Sequence, residues 1–346
     1  MANIKKLQSW DTVLYADCVE FCPFEPYLSI AICGTYQLCE SEASRVGRLS
    51  LHSIDPDQID ITPIQLVDSP GVLDVKWCRQ KSYSQISLAV ANSIGQIVIY
   101  TFDPDSVIHQ EHVQNIGDVD SGRLALSCDW YDGCKIAVSD SKGEVSCLNV
   151  SHQGPELVGT WKAHDYEAWV ASFDRHSDQL IYSGGDDSCF RLWDIRDTTS
   201  SVITNRKAHQ MGVTSIETSP VDSNILATGS YDERLLMWDK RHMKTWVSET
   251  NLGGGVWKLK WEPVSARHLL AATMHNGFHL VDCCGTSGEA GREQPSFEPT
   301  IVGSYREHSS LAYGCDWGRQ LSSSGRRTIA SCSFYDHSLH VWSWLP

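Results

Sequence analysis

The chain has 346 residues, of which 41% are hydrophobic and 21% charged, so it can bury a large core and has the composition of a globular protein. Its formal net charge of −15 argues against nucleic-acid binding and favours a cationic or basic partner surface, although acidity that only aids solubility is the more ordinary explanation. No apolar run approaches a membrane span, no secretory signal is evident, and thirteen scattered cysteines indicate reduced thiols, so we expect a cytoplasmic protein.

The first half of the chain predicts short strands arranged in weakly repeated units. A strand-like run covers residues 7–15, and three units follow at about 17–55, 70–110 and 122–160. Their apolar runs are short, β-branched or aromatic, and are separated by Gly, Asp and Ser, which is typical of strands and turns. None of the three carries a clear motif.

The clearest pattern is a motif that occurs twice within residues 161–239. Each copy begins with Lys-Ala-His, continues through an alternating apolar run and a small polar turn that ends in Asp, and closes with Trp-Asp. The closing residues Trp193 and Trp238 are 238 − 193 = 45 residues apart. A period of roughly 40–45 residues is typical of WD40 blades and too long for tetratricopeptide or ankyrin units. Over these copies the chain resembles the WD40 family.

The resemblance implies an all-β fold, a seven-bladed WD40 β-propeller. A lone four-stranded sheet cannot bury both faces, whereas sheets stacked radially can. The family also implies that the N-terminal strand, residues 7–15, closes the ring by completing the last blade. In each regular blade it implies a hydrogen-bonded tetrad. The tetrad residues would be His164, Ser183, Asp187 and Trp193 in blade four, and His209, Thr228, Asp232 and Trp238 in blade five.

We expect one domain over residues 1–346. Blades four to seven are predicted at 164–205, 209–250, 253–284 and 308–346. Residues 285–299 are rich in Gly, Ser, Glu and Pro and predict a flexible surface insertion between blades six and seven.

Blade six departs from the repeat in a way that suggests function. Blades four, five and seven have Asp six residues before the closing Trp, at Asp187, Asp232 and Asp336. Blade six has Val281 at the Trp position and His275 in place of the Asp. Because a titratable base replaces a structural carboxylate with no evident packing gain, we interpret His275 as a functional residue.

Further departures predict a site at one mouth of the channel. Blade four inserts Glu167 and Trp169, blade six opens with three glycines before Trp257, and blade seven adds further aromatic residues and a histidine. Strand packing is an equal alternative for the two tryptophans, and His164 and His209 are more readily explained as tetrad members than as catalysts.

Several strings narrow the resemblance further. "AHDYEAWVASF", "GGVWKLKWEP", "MHNGF", "YGCDW" and "CSFYDH" resemble the WD-repeat diphthine methylesterase family of the diphthamide pathway, over roughly residues 161–342. This resemblance implies a carboxyl methyl ester hydrolase that acts on translation elongation factor 2. The substrate would be a modified histidine with a trimethylammonium group and a carboxyl methyl ester, and the products diphthine and methanol. We expect a monomer that needs neither metal nor cofactor.

Such a substrate suggests roles for the residues at the predicted mouth. A quaternary ammonium is best held by aromatic faces near a carboxylate, and ester hydrolysis needs an activated water and stabilisation of an oxyanion. The predicted catalytic residues are His275 as first choice of base, His337 as second, and Glu167. The predicted substrate-binding residues are Trp169, Trp257, Tyr313, Tyr335, His209, and Gly254 and Gly255 of the run that begins at Gly253.

A different class of function stays open on the sequence. WD40 propellers are mostly interaction platforms, and fold alone does not give function. A non-catalytic adaptor in a ubiquitin-ligase or trafficking complex would tolerate His275→Gln, whereas an esterase that uses this base would lose activity.

Overall fold

The computed structural model describes residues 3–40, 44–57, 61–80, 85–103, 105, 107–118, 121–284 and 298–346. Within these residues the chain forms strands and no α-helix, and the strands make seven antiparallel sheets. The predicted seven-bladed WD40 β-propeller is therefore confirmed. Most of the predicted insertion at 285–299 lies outside the described residues.

The strands follow one another along the chain, blade by blade. In chain order they are β1 (Asn3–Asp11), β2 (Ala16–Phe21), β3 (Ile30–Thr35), β4 (Gln37–Cys39), β5 (Ser44–Ser53), β6 (Pro63–Pro70), β7 (Val72–Trp77), β8 (Ile86–Asn92), β9 (Gln96–Phe102), β10 (Ile108–Asn115), β11 (Ala125–Tyr131), β12 (Lys135–Asp140), β13 (Glu144–Ser151), β14 (Gly154–Lys162), β15 (Ala168–Asp174), β16 (Ser177–Gly185), β17 (Phe190–Asp194), β18 (Ile203–Asn205), β19 (Val213–Thr218), β20 (Ile225–Ser230), β21 (Arg234–Asp239), β22 (Ser248–Asn251), β23 (Lys258–Trp261), β24 (His268–Ala272), β25 (Phe278–Asp282), β26 (Thr300–Tyr305), β27 (Ala312–Leu321), β28 (Arg327–Ser333) and β29 (Ser338–Leu345).

Blade one is the largest sheet, with order β2-β3-β5-β4 and β6 paired to β5. The next five blades are β7–β10, β11–β14, β15–β18, β19–β22 and β23–β26. Blade seven has the order β27-β28-β29-β1, so the N-terminal strand closes the ring. The innermost strands of blades one to seven are, in order, β2, β7, β11, β15, β19, β23 and β27, and these seven strands surround the central channel.

The closing strand lies four residues earlier than the sequence predicted. Strand β1 pairs with β29 from Asn3 opposite Leu345 to Asp11 opposite Ser338. The chain cannot continue as a strand to residue 15, because Val13 has φ 67° and its N–H donates to the Asp11 carboxylate at 2.8 Å. Residues 12–15 are therefore the connection into blade one.

Neighbouring blades are joined by hydrogen bonds as well as by apolar packing. Large side chains fill the space between the sheets, and Trp130, Trp238, Trp317 and Trp342 are among the largest that are fully buried. Indole N–H groups donate to backbone carbonyls of the preceding blade. The pairs are Trp77 to Glu20 (3.2 Å), Trp130 to Lys76 (3.0 Å), Trp261 to Glu217 (3.4 Å) and Trp317 to Lys260 (2.9 Å).

All thirteen cysteines are free thiols. Among the described residues, no helix is long and apolar enough to cross a bilayer.

Candidate active site

The tetrad of blade four is complete and structural. His164 contacts Asp187 through Nδ1 and Ser183 through Nε2, both at 2.8 Å, and the Trp193 indole N–H donates to the same Ser183 hydroxyl at 2.9 Å. The His164 side chain is buried. Burial lowers the pKa of His164, and the Asp187 contact opposes that shift. This histidine therefore fixes the blade and does not face a substrate.

Blade five repeats the arrangement. His209 Nε2 lies 2.8 Å from the Thr228 hydroxyl, its Nδ1 lies 3.1 Å from Asp232, and Trp238 donates to Thr228 at 2.9 Å. His209 is only 3% exposed. The predicted role of His209 in substrate binding does not agree with this placement, because both ring nitrogens are occupied within the blade.

Blade seven has a variant tetrad with a relay. His308 contacts Ser331 through Nε2 at 2.8 Å, and Trp342 donates to Ser331 at 3.0 Å. His308 Nδ1 reaches the Ser338 hydroxyl at 2.8 Å, and that hydroxyl contacts Asp336 at 3.0 Å. Ser338 therefore stands between the histidine and the carboxylate.

Blade six does not bring His275 to the channel. Asn276 stabilises this turn, since its side-chain amide donates to the Leu252 carbonyl at 2.6 Å and lies 3.1 Å from His279 Nε2. His275 is exposed, and no hydrogen bond or ion pair to another described residue holds its ring. His275 does occupy the turn position that holds Asp in the regular blades, as predicted. The neighbouring Asn276, however, makes the buried contacts, and His275 is left at the surface.

The glycine run packs against the same turn. A Cβ on Gly254 would clash with the Thr273 carbonyl oxygen, and one on Gly255 would lie 3.0 Å from the Met274 sulfur. Gly253, with φ +71°, donates its N–H to the Asn251 side chain at 2.7 Å. The glycines let two loops approach closely, and they do not line the cavity described next, so the structure does not place their amides for an oxyanion.

Six of the seven innermost strands have an irregular pairing register beside a cavity. In blades one to five the pairing register of the innermost strand shifts across one residue, and in blade seven the shift spans Tyr313. Blade six has no register shift between its described strands β23 and β24, and its corresponding residue is Trp257, which directly precedes β23. A β-bulge redirects a side chain, and bulges are frequent beside active sites. The resulting bulge ring has one residue from each blade, in order Asp17, Leu73, Leu126, Trp169, Thr214, Trp257 and Tyr313.

All seven residues of the bulge ring line one cavity of about 300 Å³ at a mouth of the channel. The residues of the bulge ring differ in chemistry from one side of the channel to the other. Leu73 and Leu126 form an aliphatic side, three aromatic residues form the opposite side, and Asp17 is the ring's acidic member. The Thr214 hydroxyl donates to the Val256 carbonyl oxygen, so its proton is already used within the fold.

The aromatic side of the cavity forms a continuous surface, here called the aromatic arc, of Trp169, Tyr231, Trp257 and Tyr313. The ring centroids of Trp169 and Trp257 are 5.6 Å apart, and Trp257 stacks on Tyr313 at 4.7 Å. Tyr231 lies 6.1 Å from Trp169 and 6.0 Å from Trp257. The structure therefore brings together three of the four predicted aromatic residues.

Tyr335, the fourth predicted aromatic residue, is 61% exposed and connects to Tyr313 through Phe334, with centroids 4.9 and 5.0 Å apart. The sequence reasoning missed Tyr231 and Phe334. Tyr231 had a signal, because it directly precedes Asp232 in the turn of blade five, where blade four has Asp186 before Asp187. Asp186 accepts a hydrogen bond from the Trp169 indole at 3.1 Å, so these turns do face the cavity.

Ion pairs cross the channel beneath the bulge ring. Lys258 of blade six reaches Asp74 of blade two at 3.1 Å, and Lys260 reaches Glu20 of blade one at 2.9 Å. Lys76 lies 3.8 Å from the same Glu20 carboxylate. These pairs satisfy the buried charges at this depth.

Asp17 is different from the carboxylates below it. It is 6% exposed and lines the cavity, yet no hydrogen bond or ion pair to its carboxylate is formed within the described part of the chain. Burial raises the pKa of Asp17 to about 8, while Lys258 lowers it and Asp74 raises it further. The sequence reasoning missed this residue because blade one has no WD40 motif from which its position could be read.

Two further predicted residues occupy different depths. Glu167 is half-buried and lines the cavity beside Trp169. His337 is half-buried with φ 55°, its ring packs on Tyr15 at 4.8 Å, and it does not line the cavity. Among the described residues, no group of three or more His, Cys, Asp or Glu side chains could hold a metal ion.

The fold and the cavity define a class of protein: a WD40 propeller with an aromatic, carboxylate-bearing pocket at one channel mouth. The WD40 model described as "WD domain, G-beta repeat" matches residues 155–194 and 200–239. A chain of a crystal structure of the mitotic checkpoint complex has the same fold, with a TM-score of 0.72, 17% identity, and 99% of this chain and 93% of that chain covered.

Sequence relatives identify the family. Diphthine methyltransferase of Mus musculus is 39% identical over 91% of this chain and 70% of the relative, and that of Homo sapiens is 37% identical over 93% and 76%. The diphthine methyltransferase homolog of Dictyostelium discoideum is 33% identical over 94% and 96%. The chain belongs to the diphthine methyltransferase family, which confirms the resemblance that its motifs indicated.

Proposed function

We propose that the protein is a carboxyl methyl ester hydrolase that acts on diphthine methyl ester of translation elongation factor 2, releasing methanol and leaving diphthine. Family membership supports a role in diphthamide biosynthesis. The observation that carries the proposal is the cavity at the channel mouth, in which the aromatic arc faces buried and half-buried carboxylates.

The cavity fits the charged end of such a substrate. A trimethylammonium group has no N–H to donate, and it is attracted to aromatic faces within about 6 Å. Trp169, Trp257 and Tyr313 offer adjoining faces, and Glu167 supplies a carboxylate at the same wall. A volume of about 300 Å³ suits one modified side chain and not a folded domain, so a histidine presented on a protein loop would enter alone.

The overall charge supports a protein substrate with a basic surface. A net charge of −15 attracts a cationic partner over distances comparable to the Debye length, about 8 Å at physiological salt. The proposal takes the protein as a cytoplasmic monomer whose one macromolecular partner is elongation factor 2, with no nucleic acid or membrane involved.

The test is mass spectrometry of elongation factor 2 that carries the methyl ester, incubated with the purified protein alone. We expect the mass difference between a methyl ester and its acid, together with released methanol. Trp257→Phe, which keeps an aromatic face, should retain most of this activity, and Trp257→Ala should lose most of it at limiting substrate. An unchanged ester with tight binding of elongation factor 2 would overturn the hydrolase and favour the adaptor.

A further inference from the structure

We propose that Asp17 is the general base of this ester hydrolysis, and that its carboxylate takes a proton from the water that attacks the ester carbonyl. The inference rests on the proposed function and names a residue that the WD40 motifs do not mark.

The other buried carboxylates that line the cavity are engaged by the fold. Asp74 accepts from the Lys258 ammonium at 3.1 Å and from the Cys128 N–H at 3.2 Å. Asp129 accepts from the Phe173 N–H at 3.0 Å, and Glu217 pairs with Arg175 at 3.1 Å. Asp17 has no such partner among the described residues, although an unpaired buried carboxylate is costly. A polar group that the fold buries and leaves unpaired is available for a ligand.

The bulge of β2 places Asp17 where the ester would lie. Its neighbour in the bulge ring on one side is Tyr313, the end of the aromatic arc, and on the other side Leu73. The ammonium and the ester belong to the same modified side chain. With the ammonium on the aromatic arc, an ester on the same side chain is within reach of Asp17, which borders the arc at Tyr313.

The environment of Asp17 tunes it for proton transfer at neutral pH. Lys258 and Asp74 face it from blades six and two, Tyr313 and Tyr231 from the aromatic arc, and Cys18 and Cys332 from its own blade and blade seven. Burial outweighs Lys258 and raises the Asp17 pKa to about 8, which makes its carboxylate a stronger base than an ordinary aspartate. A bound trimethylammonium group favours the ionised form, so substrate binding prepares the base.

The reaction is balanced without another reactant. As the Asp17 carboxylate takes the proton, the water oxygen forms a bond to the ester carbonyl carbon, and the charge moves to the carbonyl oxygen. The Lys258 ammonium lines the same cavity and donates one N–H to Asp74, so another of its three N–H groups donates to that oxyanion. The carbonyl then re-forms, the bond to the methoxy oxygen breaks, and the Asp17 proton passes to the leaving oxygen to give methanol.

The decisive experiment measures steady-state kinetics of wild type, Asp17→Asn and the control His275→Ala on elongation factor 2 that carries the methyl ester. We expect Asp17→Asn to lower kcat by roughly 100-fold or more, the ordinary contribution of general-base catalysis. In wild type, log kcat/KM should rise with pH and level off above about 8, as Asp17 of the free enzyme ionises. Asp17→Asn should lose that rise, and His275→Ala should keep both the rate and the profile.

The outcomes separate this inference from the proposed function. If wild type hydrolyses the ester and Asp17→Asn does so at the same rate with the same pH profile, Asp17 is not the base and the hydrolase stands. If wild type does not hydrolyse the ester, both proposals fall. Tryptophan fluorescence with tetramethylammonium as probe checks that Asp17→Asn keeps its cavity. If that variant does not fold, the wild-type profile decides: a rise that levels near pH 8 supports Asp17, and a flat kcat/KM between pH 6 and 9 overturns it.

Discussion

The tetrads of blades four and five and the bulge ring at the channel mouth are opposite solutions to the burial of polar groups. In blade four, His164 uses both ring nitrogens, and Ser183 serves the histidine and the Trp193 indole together. In the bulge ring, Asp17 is also buried, at 6% exposed, and its carboxylate has no partner in the described structure. The tetrads therefore stabilise the propeller. The bulge ring instead keeps an unpaired buried carboxylate, which lowers the stability of the fold but leaves a group free to interact with a substrate.

The largest expected effect comes from breaking a tetrad. Ser183→Ala removes the acceptor of the Trp193 N–H and the partner of His164 Nε2, which leaves two buried polar groups unsatisfied. At about 1–3 kcal/mol for each group, we expect the free energy of unfolding to fall by roughly 2–6 kcal/mol. Urea denaturation measures this loss.

The control for that variant is Ser200→Ala, which removes an exposed hydroxyl from the same blade and should change stability by less than about 0.5 kcal/mol. Below its melting temperature, Ser183→Ala should keep the esterase activity of wild type. A large loss of activity without a loss of stability would contradict the separation of the two regions.

The buried histidine His52 predicts that the free energy of unfolding falls at acid pH. His52 is fully buried with its Nδ1 2.6 Å from the Ile61 carbonyl, and burial lowers its pKa to about 4. Since the unfolded chain takes up the proton near pH 6.5, this residue's contribution is complete above that pH and is lost as the pH falls toward 4. The loss should be about 3 kcal/mol by pH 4. Urea unfolding of wild type and His52→Gln at pH 7 and pH 4 should show a smaller loss in the variant, and equal losses would contradict the assignment.

A smaller effect, confined to binding, is expected in the aromatic arc. Trp257 is half-buried and stacks on Tyr313 at 4.7 Å. Replacing it with Ala removes a face for the ammonium, worth about 1–2 kcal/mol when desolvated, so the dissociation constant should rise roughly 5- to 30-fold. Calorimetric titration with a peptide that carries the modified histidine measures this change. Trp257→Phe is the matched control and should change the dissociation constant much less. If Trp257→Ala binds the peptide as tightly as wild type, the aromatic arc is not the binding site for the ammonium.

The smallest effect is expected at His275, which lies outside both regions. Its ring is exposed and does not line the cavity, so His275→Ala should change kcat/KM by less than about twofold. A loss comparable to that expected for Asp17→Asn would restore the sequence-based choice of base and contradict the geometry.

The fold was predictable because its information repeats along the chain. Two copies of one motif at a 45-residue spacing identified the propeller, and the tetrad residues of blades four and five formed the expected hydrogen bonds. Three residues of the aromatic arc were also found, because Trp169, Trp257 and Tyr313 stand next to departures from the repeat. In these cases the position in the motif determined the position in space.

The chemistry of the site was less predictable, since it depends on contacts between blades. His275 occupied the correct place in the turn, but Asn276 makes the hydrogen bond to Leu252 and leaves the histidine outside. Asp17 belongs to a blade without the motif, and its burial results from β2, β7, β23 and β27 meeting at the channel. No local sequence pattern could have predicted that these four strands bury Asp17.

The most direct test is a crystal structure of the Asp17→Asn variant with a peptide that carries diphthine methyl ester. We expect the trimethylammonium nitrogen to lie within about 6 Å of the ring centroids of Trp257 and Tyr313, with one water between the ester carbonyl carbon and the side chain at position 17. An ester bound beside His275, or a peptide bound with the channel-mouth cavity empty, would contradict this expectation.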